Sequence, residues 1–279
     1  MSVYHRQPTS ASYRHVVPML ILLGVTIYLA ACTMAPIKVD SPVIVPTLLS
    51  TPTPPDTDAT WRLIASGVES RQIEAPGLPV QIVRIDPTQV RFFVAYDPTK
   101  PRTLQAWAVQ YGAVAAINGG FFDQYGEPVA LLISDQRVIG TSYVDQGGMF
   151  AIDAQGRPHL WSLAEQPYDG KPFEQAIQGW PLLVKAHGEA AYTKADDQRA
   201  RRSAIALDQD GRVLLIIAPG ASFSLAEWSQ FLATVDLAIE VAVNLDGGSS
   251  SGLIAQGHQG GVRVDPFVPL PFALLILPL

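Results

Sequence analysis

The chain has 279 residues, 48% hydrophobic and only 16% charged, with a formal net charge of −6. Met1–Ala31 carries Arg6 and Arg14 and no acid, which leaves the remaining residues at −8; an acidic body without a Lys/Arg cluster excludes a grip on nucleic-acid phosphates. The single cysteine, Cys32, excludes an intrachain disulfide and a Cys-rich metal site, and no two of the five histidines stand at zinc-ligand spacing.

Met1–Arg14 is polar, and Val16–Tyr28 is apolar and uncharged. The run is shorter than the roughly 20 residues a spanning helix needs, and Pro18 weakens it further. A basic start, a short apolar stretch and small residues are the layout of a secretory signal. Ending in Leu29-Ala30-Ala31-Cys32, the segment resembles a bacterial lipoprotein signal. The resemblance implies cleavage before Cys32, lipid attachment to Cys32, and an extracytoplasmic domain held at the bacterial cell membrane. Thr33–Asp58 is dense in Pro, Thr and Ser, a composition that stays extended rather than folding. The expected organisation is a signal over 1–31, a Pro/Thr-rich tether over 32–58 and one domain over 59–279.

Within that domain, Pro79–Ile85 and Val90–Tyr96 read as strands around a turn at Asp86-Pro87. Thr103 caps a helix running to Tyr111, with Leu104, Trp107 and Ala108 on one face. Ala113–Ile117 is a short buried strand that stops at Asn118-Gly119-Gly120. Val129–Ile133 with Gln136–Ile139, and Gly148–Asp153 with Arg157–Trp161, read as hairpins. Gln178–Val184 is strand-like despite Pro181. Asp208-Gln209-Asp210-Gly211 joins Ala204–Leu207 to Val213–Ala218 as a hairpin. Ser224–Val235 is a helix opened by the capping box Ser224-Leu225-Ala226-Glu227. Strands at Glu240–Leu245, Val262–Val264 and Phe272–Leu277 complete the chain. There is no internal repeat and no regular strand–helix alternation. The expected class is α+β: many short strands with two or three helices packed on a mixed sheet.

Three clusters carry chemistry. In Asn118-Gly119-Gly120-Phe121-Phe122-Asp123, two glycines at a strand end let a ligand approach the backbone, Asn118 can donate and accept, and Asp123 can serve as acid, base or ligand. Arg201-Arg202-Ser203 places guanidinium groups, which recognise phosphate bidentately, at the start of an apolar strand. In Asn244-Leu245-Asp246-Gly247-Gly248-Ser249-Ser250 a strand delivers a carboxylate to a turn where N–H groups and hydroxyls converge, a potential anion nest. The run Gly248–Gly252 also matches G-x-S-x-G, the nucleophile elbow of esterases. That elbow needs a helix after the serine, and the glycines at 257, 260 and 261 argue against one.

At these clusters the chain resembles the phosphodiester glycosidase family, which includes the enzyme that uncovers mannose 6-phosphate on lysosomal proteins. The resemblance runs from about Val80 to Leu277. It rests on A-I-N-G-G-F-F-D at Ala116–Asp123, G-W-P-L-L-V at Gly179–Val184, R-S-A-I-A-L at Arg202–Leu207 and N-L-D-G-G-S-S-S at Asn244–Ser251. The family commonly has Arg-Thr where this chain has Arg202-Ser203, often a third glycine at the place of Ser249, and a different pair from Ala200-Arg201. The resemblance implies hydrolysis of a sugar joined through its anomeric oxygen to a phosphodiester. Arg202 and Ser203, with Gly247, Gly248, Ser249 and Ser250, would bind phosphate. Asn118, Gly119, Gly120 and Asn244 would line the substrate site. Asp246 is the first candidate for acid/base or nucleophile, with Asp123 and Glu127 next. No cofactor is required, although carboxylates beside phosphate could hold calcium or magnesium. Alternatives are a non-catalytic glycan- or polymer-binding surface lipoprotein, and a hydrolase of another exported phosphodiester or of peptidoglycan-linked sugars.

Overall fold

The computed structural model describes residues 60–257 and 260–279. The expected signal, Cys32 and the tether lie outside the described residues. Among the described residues no helix is long and apolar enough to cross a membrane.

In chain order the elements are β1 (Arg62–Ala65), β2 (Val68–Ile73), β3 (Val80–Ile85), β4 (Val90–Tyr96), α1 (Leu104–Tyr111), β5 (Ala115–Asn118), β6 (Leu132–Ser134), β7 (Arg137–Ile139), β8 (Gly148–Ile152) and β9 (Pro158–Ser162). There follow β10 (Gln175–Gly179), β11 (Leu182–Lys185), β12 (Glu189–Ala190), β13 (Ala200–Asp208), β14 (Val213–Phe223), α2 (Leu225–Thr234), β15 (Ile239–Asn244), a 3-10 turn at Gly248–Ser250, β16 (Leu253–Gly257), β17 (Gly260–Val264) and β18 (Phe272–Pro278).

The strands form three sheets. One has eight strands in the order β1-β2-β3-β14-β13-β15-β11-β12; the others have five each, in the orders β7-β6-β10-β8-β9 and β17-β16-β5-β18-β4. Every pairing between these strands is antiparallel. The expectation of an α+β domain with a mixed sheet is therefore corrected: the domain is mostly strand, in three antiparallel sheets, with two α-helices on the outside. The physical reason is visible in the connections. Parallel neighbours need long crossovers, usually helical, whereas short turns such as Asp208–Arg212 favour antiparallel pairs.

The inner faces of all three sheets meet in one core. Val83, Leu215, Ile205 and Val243 come from the eight-stranded sheet, Phe150 and Ile177 from the second, and Val94, Ile117 and Leu274 from the third. Central strands are apolar on both faces because a helix covers the outside. Alternate residues of β14, namely Leu214, Ile216 and Ala218, join Trp228 and Leu232 of α2 in a second cluster. Leu104, Trp107 and Ala108 of α1 pack against Ala116, Ala273 and Leu275 of the third sheet. Both helices begin where expected. Thr103 accepts from the Ala106 N–H, and Ser224 and Glu227 form the reciprocal capping box, a contribution of about 1 kcal/mol.

The single strand expected over Gln178–Val184 is two strands in two sheets. β10 ends at Gly179, a cis peptide joins Trp180 to Pro181, and β11 restarts at Leu182 beside β15. A continuous apolar run hides this change of sheet. After the 3-10 turn the chain enters strand β16, paired with β5 and β17, so Gly248–Gly252 is not a nucleophile elbow.

Candidate active site

The C-terminal ends of β5, β10 and β15 and the N-terminal end of β13 converge. Backbone hydrogen bonds stitch them together: Asp246 N–H donates to Gly119 O (3.1 Å), Leu245 N–H to Ser203 O (2.9 Å) and Asn244 N–H to Pro181 O (3.0 Å). The strands approach so closely that a side-chain carbon at Gly179 would stand 2.1 Å from the Asn244 carbonyl oxygen, so only glycine fits there. Gly248 has φ +59°, the left-handed conformation that turns the chain just past Asp246. The sequence clusters at 118–120, 202–203 and 244–250 are thus one place in space.

Asn118 is fully buried and acts as the tie between two of these segments. Its Nδ2 donates to Asp246 O (2.8 Å) and Gly119 O (3.1 Å), and its Oδ1 accepts from Gly252 N–H (3.1 Å). The tie holds Asp246 by its backbone and does not engage its carboxyl group. That carboxyl is half-buried. Burial pushes it above the ordinary carboxylate value, while the Ser250 hydroxyl and the Gly247 N–H (2.9 Å to Oδ1) hold it down in part. The Tyr143 phenol is pushed up by burial first and then by the Asp246 charge. Tyr143 is itself positioned by Gln178, whose Oε1 accepts its N–H (2.9 Å).

Arg202 is 8% exposed. Its Nε donates to Phe223 O (3.1 Å) and its Nη2 to Gln198 O (2.6 Å). The remaining terminal nitrogen points toward the turn: a side-chain carbon at Gly247 would lie 3.8 Å from Nη1. Burial lowers the pKa of Arg202, with the charges of Asp196 and Tyr192 acting in the other direction. Trp180 packs edge-on against Tyr192, ring centroids 5.8 Å apart, and its carbonyl accepts from Asn244 Nδ2 (2.9 Å).

The polar groups here are under-satisfied. Among the described residues seven buried side-chain polar atoms have no partner, and five belong to this neighbourhood: Nε and Nη1 of Arg201, Oγ of Ser203, Oδ1 of Asn244 and Oγ of Ser251. A buried polar atom without a partner costs about 1–3 kcal/mol, so their concentration at one spot marks a place built for something other than stability. Two cavities of about 720 and 560 Å³ open elsewhere, beside Asp153 and Arg157 and beside Trp161 and Tyr168 respectively. Neither is lined by Asn118, Arg202 or Asp246. Size alone favours those hollows, but the convergence of a raised carboxyl, a guanidinium and orphaned donors is at the strand ends.

The other two expected carboxylates are placed differently. Asp123 Oδ1 accepts from the N–H groups of Tyr125 (2.8 Å) and Glu127 (3.0 Å), closing its own turn. Glu127 Oε2 accepts from the Tyr96 hydroxyl (2.5 Å). Among the described residues no hydrogen bond or ion pair joins either group to Asp246. No group of three His, Cys, Asp or Glu side chains converges as a metal site among the described residues. Tyr143, Gln178, Trp180, Tyr192 and Ser251 belong to the neighbourhood without having been named as site residues from the sequence, and Arg201, which opened the second cluster, was given no role of its own. Trp180 and Ser251 lay inside the quoted motifs, and the unusual Ala200-Arg201 pair marked Arg201.

The phosphodiester glycosidase family model matches residues 111–276, a span that holds Asn118, Arg202 and Asp246. The chain belongs to the phosphodiester glycosidase family. The matched span begins later than the Val80 suggested by sequence motifs. Among solved structures, the catalytic domain of zebrafish N-acetylglucosamine-1-phosphodiester alpha-N-acetylglucosaminidase, auto-inhibited by its pro-peptide, is similar in fold. Its TM-score is 0.61 at 21% identity, over 76% of this chain and 84% of that one. A hypothetical protein from Synechocystis gives 0.57 at 18% identity, over 76% and 62% of the two chains. A putative exported protein from Burkholderia pseudomallei gives 0.51 at 14% identity, over 72% and 74%. At these identities the likeness is one of fold. No curated protein sequence matches the chain.

Proposed function

We propose that the chain is a glycoside hydrolase that releases a sugar from a glycosyl-1-phosphodiester. The observation that carries this reading is that one turn begins at a half-buried carboxyl with raised pKa, Asp246, and is faced by Nη1 of a buried guanidinium, Arg202. Family membership supplies the reaction class.

In this reading Arg202 Nη1, the Gly247–Ser250 turn and Ser203 receive the phosphate, and Asn118, Gly119, Gly120 and Asn244 shape the floor beneath the sugar. The bond between the anomeric carbon and the phosphodiester oxygen breaks; that oxygen leaves with both electrons as a phosphomonoester. Arg202 stabilises the charge that grows there. Phosphate leaves readily, so the harder task is at the anomeric carbon, which becomes oxocarbenium-like and takes up water. Asp246 serves there as acid/base or nucleophile. Its raised pKa favours the acid/base role, because a desolvated carboxylate accepts a proton from water more readily than an exposed one. Water then delivers hydroxide to the anomeric carbon and a proton to Asp246. The reading invokes no metal; calcium and magnesium enter only as additions in the assay.

We also place the enzyme outside the cytoplasm, anchored through lipid on Cys32, on the strength of the Leu29–Cys32 motif and the Pro/Thr-rich stretch behind it. Mass spectrometry of the mature N-terminus checks this: a diacylated or triacylated Cys32 is expected, and an unmodified Met1 would remove the proposal.

The activity test uses the full chain on a panel of sugar-1-phosphodiesters, with free sugar and phosphomonoester measured separately. Release of both in equal amounts, lost in Asp246→Asn, is expected. Binding without turnover on every member, with and without calcium or magnesium, would turn the reading to a glycan-binding protein.

A further inference from the structure

Arg201 stands next to the proposed phosphate-binding Arg202 and goes elsewhere. The pairing of β13 with β14 slips between Ala200 and Arg202, and such a bulge releases neighbouring side chains from strict alternation. Arg201 is 7% exposed. Its Nη2 donates to the Asp265 carbonyl (2.9 Å), and its Nε and Nη1 are buried without a partner. Among the described residues no carboxylate lies within ion-pair distance of it; the Asp265 carboxylate takes Arg263 Nε instead (2.8 Å). One wall of the guanidinium is the Phe267 ring, 4.1 Å from Arg201 Cζ to the ring centroid. That ring is 76% exposed. Its loop is fastened to the phosphate turn, since Phe267 N–H donates to Ser249 O (2.7 Å).

A buried guanidinium with two idle donors is costly; the Asp265 carboxylate, already engaged by Arg263, and one cation–π contact offset only part of that cost. Its natural complement is an anion. The Asp265–Phe267 wall is tied to the turn at Ser249, whereas Asn118 and Gly119 are tied to it at Asp246. We propose that Arg201, capped by Phe267, is a second anion subsite that takes a further phosphate group on the aglycone, so that this chain prefers glycosyl phosphodiesters with a phosphorylated leaving group. The proposal rests on the hydrolase reading for its substrate, but not for its binding chemistry. The Phe267 ring moves aside, and Nε and Nη1 donate to the incoming phosphate.

Two measurements test it on the full chain. The first compares kcat/KM for two esters of one sugar 1-phosphate, one of glycerol and one of glycerol phosphate. The second compares the affinities of pyrophosphate and inorganic phosphate by calorimetry. Charge-assisted hydrogen bonds of this kind predict a preference of roughly tenfold or more for the doubly phosphorylated member of each pair. Arg201→Gln should bring both ratios close to one. Equal handling of both members by the wild type would overturn the subsite, as would an equal loss on both in Arg201→Gln. Should Arg201→Gln fail to fold, Phe267→Ala decides. Removing the exposed cap should tighten pyrophosphate by roughly threefold, the scale of a surface cation–π contact, and unchanged affinity would count against the proposal. Absence of turnover with a retained pyrophosphate preference would sink the hydrolase reading and leave the subsite standing.

Discussion

The two ends of the β13–β14 hairpin are built on opposite rules. At the turn end, Asp208 is buried, but every one of its contacts is met. Its Oδ1 accepts from the N–H groups of Asp210 (3.0 Å) and Arg212 (2.8 Å), and its Oδ2 pairs with Arg212 Nε (2.7 Å). At the other end, Arg201, Ser203 and, across the sheet, Asn244 carry buried polar atoms with no partner. The same two strands hold both. A turn Asp closes its own loop and needs nothing further, whereas the far end keeps donors and acceptors idle at a cost the rest of the fold must absorb. Burial of polar groups is therefore not by itself the mark of a site; burial without satisfaction is. Asp123 belongs with Asp208 on this criterion, since it too spends its oxygen on its own turn.

The contrast can be broken in four places. The largest effect is expected at Asp246. Asp246→Asn should lower kcat/KM by roughly a thousandfold, the scale of a lost acid/base group, as read by steady-state release of sugar. The same variant should be as thermally stable as the wild type at neutral pH, or more so. Folded Asp246 holds its proton more tightly than the unfolded chain does. Its contribution to stability is therefore present in acid and is lost as pH rises from the ordinary carboxylate value through the higher folded one. The melting-temperature gain of Asp246→Asn should shrink on acidification through that window; a gain that grows in acid contradicts the assignment.

Asp208→Ala should do the reverse. Removing a buried carboxylate that accepts two backbone N–H groups and pairs with a partly exposed guanidinium costs about 2 kcal/mol, or roughly 4–8 °C in melting temperature for a domain of this size, with turnover at permissive temperature retained. A large loss of turnover by folded Asp208→Ala would erase the distinction between the two ends. Arg202→Lys keeps the charge but not the fork, and should lose roughly tenfold to a hundredfold in kcat/KM. The smallest effect is expected at Asp123→Asn, where an amide oxygen can accept the same two N–H groups, so activity should change by less than about threefold. A collapse in activity with the fold intact would return Asp123 to the catalytic site.

Much of this was legible along the chain, because the signals are local. Thr103 and the Ser224–Glu227 box announce both helices within three residues of their starts. The Asp208–Gly211 turn announces its hairpin. The glycines after Asn118 and Asp246 mark strand ends that do come together. What stayed hidden depends on long-range pairing. β1, at the sheet edge, and β2, beside it, lack a strong apolar pattern. The change of sheet at Trp180-Pro181 sits inside one apolar run. Antiparallel pairing throughout cannot be read from single strands. Gln178 holds the loop that carries Tyr143, a link across 35 positions that no spacing announces. Glu127 looked available until Tyr96 was seen to hold it.

The position of β18 has a consequence for how the molecule comes into being. This strand is hydrogen-bonded between β4 and β5, which precede it by well over a hundred positions. Asn118, at the end of β5, pairs with Ala273. The segment that ties down the Asp246 backbone therefore lacks its neighbour until β18 has been made, and closing so distant a pairing is slow. The site cannot take its final form before β18 slots in beside β5.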